Sequence, residues 1–135
     1  MANPPLPPGD DPTIPDTATL WRRIHPDWWV FDKKTGNRRL STAAFDNAPD
    51  GSPMSVGLAD EMPGTEALLS GYESYGVAAF TAGHARHMCA QAVARAPVPD
   101  RPWHAHVIGR KTGSVTKRLR DGSAVVVIPD TPEVA

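Results

Sequence analysis

Four of the five histidines and the single cysteine fall in two short windows: His84, His87 and Cys89, then His104 and His106. A spacing of three puts His84 and His87 on one face of a helix, and a spacing of two does the same for His104 and His106 on a strand. Imidazole nitrogens and a thiolate are ligands that zinc accepts. Cys89, however, stands about 200° round an ideal helix from His87 and suits an apolar packing face, so no metal site is expected. His104 remains a candidate for proton transfer or phosphate contact, because imidazole titrates near neutral pH.

A second constellation is the run Gly109-Arg110-Lys111-Thr112-Gly113-Ser114, between an apolar stretch and a helical pattern. Free amides at a helix start, with Arg110, Lys111, Thr112 and Ser114 beside them, are what an anion site needs. The Walker loop has four residues between its first glycine and its Gly-Lys pair; they are missing here, which excludes a P-loop NTPase. The same residues also suit a plain polar turn in which Ser114 caps a helix closed by Gly122.

Charge is balanced overall and segregated along the chain. The 14 Lys and Arg against 15 Asp and Glu give a net charge of -1, so no global basic field of the nucleic-acid-coat kind exists. Twelve of those bases lie in two windows: Arg22, Arg23, Lys33, Lys34, Arg38 and Arg39, then Arg101, Arg110, Lys111, Lys117, Arg118 and Arg120. No acid falls between residues 101 and 120, and no base between 40 and 75. If the windows share a face, that face suits a phosphate, a nucleotide or a nucleic-acid backbone; the alternative is that the charges merely cover strand ends and turns.

The elements that must position these groups fit one core. With 135 residues, 40% hydrophobic and 21% charged, the chain has the composition of a globular domain. A Pro-rich leader over residues 1–18, centred on Pro4-Pro5-Leu6-Pro7-Pro8, is expected to be extended and solvated, with the domain at 19–130 and a short tail at 131–135. Strands are expected at Leu20–Ile24, Met54–Ala59, Gly76–Phe80, Trp103–Ile108 and Ala124–Ile128, the last buried on both faces. Trp28 to Phe31 forms a further apolar cluster turned by Asp32–Gly36. Helices are expected after a Thr65 cap, over Gly83–Arg95, and after Ser114. The result is an α+β domain with a mixed sheet of five or six short strands and two or three helices.

Trp21 and Trp103 are expected in the core. The adjacent Trp28 and Trp29 cannot both point inward from a strand, so one is expected to be exposed, where it would stack a base or anchor a protein partner. One cysteine makes no internal disulfide, which favours a reducing cytoplasm. The N-terminus lacks the basic and apolar regions of a signal peptide. The longest apolar run, Ala124–Ile128, falls far short of a membrane span.

Arg22 and Arg23, Ser41-Thr42, Ser55 and Glu66 follow one another in an order that resembles ADP-ribosyltransferase and RES-type NAD-processing proteins. The resemblance covers residues 20–70 and implies that Arg23 holds NAD phosphates while Glu66 contacts the ribose. The glycine-rich Arg-Trp segment of RES proteins is missing, and no glutamate lies on the last strands. Arg22, Arg23 and Glu66 also suit a plain structural role, at a sheet edge and in a helix first turn. From Leu20 to Pro129 the chain is also similar to small uncharacterised bacterial proteins with an Arg-rich first strand and a His-Ala-x-Val-x-Gly-x-Lys-Thr segment, here His104–Thr112. Two functions are thus expected in competition. The first is binding of a phosphate-bearing ligand, NAD among them, by Arg23 and the Arg110–Ser114 turn, with Glu66 and His104 for polar contacts or proton transfer. The second is a non-enzymatic module of an operon-encoded complex that contacts protein or nucleic acid through Trp28 or Trp29.

Overall fold

The computed structural model describes residues 6–131. Eleven elements matter for the site: β1 (Thr19–Ile24), β2 (Trp29–Phe31), β3 (Arg38–Leu40), β4 (Met54–Leu58), α1 (Thr65–Leu69), β5 (Gly76–Thr81), a π-helical turn (His84–Met88), β6 (Ala92–Arg95), β7 (His104–Ile108), α2 (Gly113–Asp121) and β8 (Ala124–Val127). Six strands form one sheet in the order β6-β7-β4-β1-β5-β8, and β2 and β3 form a separate hairpin. Neighbours are antiparallel throughout, and the whole is a small α+β domain.

Alternation along β1 sorts side chains between the two faces of the sheet. Leu20 lies opposite Leu58 and Phe80, on the face where the main core packs. Trp21 lies opposite Gly57, which lies opposite His104, and Ser55 lies opposite His106, so these residues share the other face. The main core is covered by the 3₁₀ turn Thr42–Phe45, by α2 and by the π-helical turn; Phe45, Leu119 and Ala85 are fully buried there. A smaller cluster on the second face joins Met62, Leu68, Val77 and Trp103, with half-buried Trp21 against it. Gly57 permits that contact, since a Cβ there would press on the Trp103 ring.

Several expectations are corrected. Residues 83–95 are not one helix: a single π-helical turn spans His84–Met88, Ala90 takes φ 53°, and β6 follows. Small apolar residues at Ala92 and Val93 serve a buried strand as well as a helix, and pairing with β7 decides for the strand. The leader is not solvated through residue 18. Ile14 is 1% exposed, Asp11 donates its backbone N–H to Val93 O at 2.8 Å, and Asp10 Oδ1 accepts from Val93 N at 2.9 Å. Asp10 and Asp11 thereby cap the edge strand β6. Pro4 and Pro5 lie outside the described residues, as does the tail beyond Thr131.

β8 is the opposite edge of the sheet and is not buried on both faces: Val126 and Ile128 are 51% and 66% exposed. Trp28 sits in a 3₁₀ turn and Trp29 opens β2, so the pair does not alternate as on one strand; both are half-buried against the core, and Phe31 is the exposed aromatic. Gly64, not Thr65, is the N-cap residue of α1. Thr112, not Ser114, caps α2 by accepting from Val115 N. Among the described residues no helix is long and apolar enough to cross a membrane.

Candidate functional site

The glycine turn after β7 closes on itself. Lys111 Nζ donates to Asn47 Oδ1 at 2.8 Å, to Gly109 O at 2.9 Å and to Val107 O at 3.1 Å, which uses all three of its protons. Burial, joined by the nearby Arg22 charge, pushes this amine down to about 8. Thr112 Oγ1 is occupied as the α2 cap, and Gln91 Nε2 donates to Arg110 O. Of the four expected anion contacts, only Arg110 and Ser114 are exposed with their side chains unengaged among the described residues. Sequence spacing brought Lys111 to the turn, but the Asp46-Asn47 loop claims it.

The remaining expected residues are dispersed. On the second face of the sheet, the Arg23 guanidinium lies 3.8 Å from the centre of the Tyr72 ring and donates one long bond, 3.3 Å, to Leu68 O. Burial lowers its pKa. His104 Nδ1 donates to Ala96 O at 2.8 Å, the tautomer that leaves Nε2 free, and its ring meets that of His106 at 5.1 Å. Burial and this neighbour hold His106 below the usual imidazole range. Arg23, Ser55, Trp103 and His104 line a cavity of only about 10 Å³, room for one water. Glu66 is exposed in the first turn of α1 and lines a different groove, beside Glu73 and Val127. His104 opens β7 whereas the Arg110–Ser114 turn follows its end, a separation of about 13 Å along the strand.

The histidines do not converge either. His84 Nε2 bonds Arg118 O and His87 Nε2 bonds Asp16 Oδ2, each at 2.8 Å. Among the described residues no group of three or more His, Cys, Asp or Glu is placed to hold a metal ion. Cys89 is buried, and desolvation pushes its thiol up to about 11.

What the fold does bring together in one cleft is an arginine from each basic window. Between the β2–β3 hairpin and the end of α2 runs a cleft of about 570 Å³ lined by Trp29, Asp32, Arg39, Leu40, Arg120, Asp121 and Val125. Arg39 comes from the first window and Arg120 from the second. Lys117 precedes Arg120 by three residues and so shares its side of α2. Lys33 and Lys34 are exposed in the hairpin turn. Arg39 meets Asp32 at 3.4 Å and Arg120 meets Asp121 at 3.1 Å. Lys33, Lys34, Arg38 and Lys117 have no carboxylate partner among the described residues. Two further acids, Glu66 and Glu73, line the separate α1 groove.

No protein-family model, curated protein or solved structure matches this chain. Its chemistry is read from its own geometry.

Arg22 lies on the core side of β1, where Nε donates to Ala44 O at 2.8 Å and Nη1 to Ser55 O at 2.9 Å. Desolvation lowers it to about 10. It therefore anchors the Thr42–Phe45 turn to β4, a structural task. The residue that sequence reasoning missed is Arg86. It is 7% exposed and donates to Asp10 Oδ1, Asp11 O, Ile14 O and Asp16 Oδ1 at 2.7–3.0 Å, so all four acceptors belong to the leader. A signal existed: Arg86 is one of two bases outside the basic windows, and three leader acids had no local partner.

Proposed function

We propose that this protein binds a phosphate-bearing ligand in the cleft between the β2–β3 hairpin and α2. The observation that supports it is the convergence of Arg39 and Arg120, one from each basic window, on one cleft of about 570 Å³, within the range of small-ligand sites. Half-buried Trp29 offers an aromatic wall for a base. A phosphate would compete with the half-buried Asp32 and the exposed Asp121 for their arginines, and the pair to Asp121 is the weaker barrier, since exposed ion pairs contribute about 0–1 kcal/mol. NAD, the ligand that the resemblance implies, is one candidate. A transfer or hydrolysis step would need Glu66 or His104 at the ligand, and each stands on another part of the surface, so the reading favours binding over catalysis. The lone buried Cys89 thiol suits a reducing cytoplasm.

The test is a thermal-shift series with NAD, ADP-ribose and ATP, since a ligand that prefers the folded state raises its stability by mass action. A rise in Tm that Arg39→Ala and Arg120→Ala abolish supports the cleft. A rise that both variants leave intact places the ligand elsewhere, and no rise with any phosphate ligand rejects the reading. Exposed Phe31, Val126 and Ile128 favour a second reading, a protein-interaction module. Salt-insensitive association with a protein, weakened by Phe31→Ser, would support it.

A further inference from the structure

Apart from the hairpin–α2 cleft, we propose that the second face of the sheet carries a separate oxyanion site, in which Arg23, Ser55 and His104 hold a carboxylate or phosphate group of a ligand. The three side chains come from adjacent strands. Trp21 on β1, Gly57 on β4 and His104 on β7 lie opposite one another, and alternation puts Arg23 and Ser55 on the same face, one row further on. All three line one small opening, walled by Trp21 and Trp103.

Each of the three has polar groups to spare. Arg23 stacks on Tyr72, which leaves the N–H edge of its guanidinium, and that edge makes one long bond, 3.3 Å to Leu68 O. Ser55 Oγ and His104 Nε2 make no hydrogen bond among the described residues, His104 being held through Nδ1. These atoms are open to solvent, since Gln91 Oε1 is the only sealed side-chain polar atom without a partner among the described residues. No carboxylate lines the opening, and none pairs with Arg23 among the described residues, so an incoming anion has no aspartate to displace. Arg101, 5.7 Å from the centre of the same Tyr72 ring, repels Arg23. A half-buried cation so placed lacks the counter-charge that offsets its desolvation, and the planar edge of Arg23 matches a pair of oxyanion oxygens. The hollow of about 10 Å³ admits one oxygen atom. One ligand oxygen enters there, with Arg23 and Ser55 donating, while the rest of the ligand stays at the mouth. His104 Nε2 donates to a second oxygen when the ring is protonated and accepts from a ligand hydroxyl when it is neutral.

The experiment is titration of the full chain with sodium formate and with inorganic phosphate, at constant pH and with ionic strength held by chloride, read on the histidine ring signals by NMR. His104→Gln and His106→Gln assign the two signals, whose rings stand 5.1 Å apart. The expected result is a saturable shift of both signals, while those of His84 and His87, bonded to Arg118 O and Asp16, stay in place. Arg23→Gln should abolish the shift, Ser55→Ala should weaken binding several-fold, and Arg39→Ala should change neither. Tighter binding of phosphate assigns a phosphate-bearing ligand and tighter binding of formate a carboxylate; either upholds the site. Equal shifts with chloride alone, no saturation, or shifts that survive Arg23→Gln would overturn it, as would their loss in Arg39→Ala, which would move the anion to the hairpin cleft. If Arg23→Gln fails to fold, Ser55→Ala decides, and an affinity that it leaves unchanged rejects the site.

Discussion

Lys111 Nζ lies 2.8 Å from Asn47 Oδ1 and shares its other protons with the carbonyls of Val107 and Gly109. The lysine that the sequence best suits to a phosphate contact is thus a bracket between the β7 turn and the loop after Phe45. Its amine, lowered to about 8 by burial from an ordinary value of 10.5, is harder to protonate in the folded protein than in the unfolded chain. Between these two values the unfolded state binds more protons, so stability rises with pH across about 8 to 10.5. Lys111→Met should remove that rise, and melting temperatures at pH 7.5 and 10 will show it. The same variant should leave ligand binding at the hairpin–α2 cleft intact.

Arg86 fastens the leader, and the leader is part of the fold. Arg86→Met removes four hydrogen bonds to the leader and leaves Asp10 without a cationic partner; a loss of about 3 kcal/mol is expected by urea unfolding. Ile14→Ala should cost a similar amount, about 3 kcal/mol, because it empties a fully enclosed site. A solvated leader would show no change for Ile14.

Two hydroxyls at the start of α2 have different tasks. Thr112→Ala removes the cap bond to Val115 N and should cost about 1 kcal/mol. Ser114→Ala, at an exposed position without a cap bond, should stay within about 0.5 kcal/mol. Equal effects in chemical denaturation would contradict the Thr112 cap.

Cys89 should resist alkylation by iodoacetamide at pH 8 in the native protein. It is 1% exposed and its thiol is pushed up to about 11, so little thiolate forms and none of it is accessible. Labelling that appears only in denaturing urea, followed by mass spectrometry, is the expected outcome.

Much of the fold was legible because its signals are local. Leu20, Trp21 and Ile24 before His25-Pro26 marked β1, the Asp32–Gly36 turn marked the end of β2, and the Val115–Leu119 spacing with Gly122 marked α2, whereas β3 (Arg38–Leu40) carried no such signal. The 83–95 segment was not legible, since Ala92 and Val93 suit a strand or a helix equally and only β7 chooses between them. The segregation of basic residues into two windows was a property of the sequence alone. That Arg39 and Arg120 share a cleft was decided by tertiary structure, because α2 must pack on the Thr42–Phe45 turn beside the hairpin. Tertiary structure also turned Lys111 inward and gave Arg86 its leader, for a common physical reason. A cation in a partly dry interior must find oxygen acceptors: Lys111 completes its local pair of carbonyls with Asn47, 64 residues away, and all four acceptors of Arg86 lie 70 to 76 residues away along the chain.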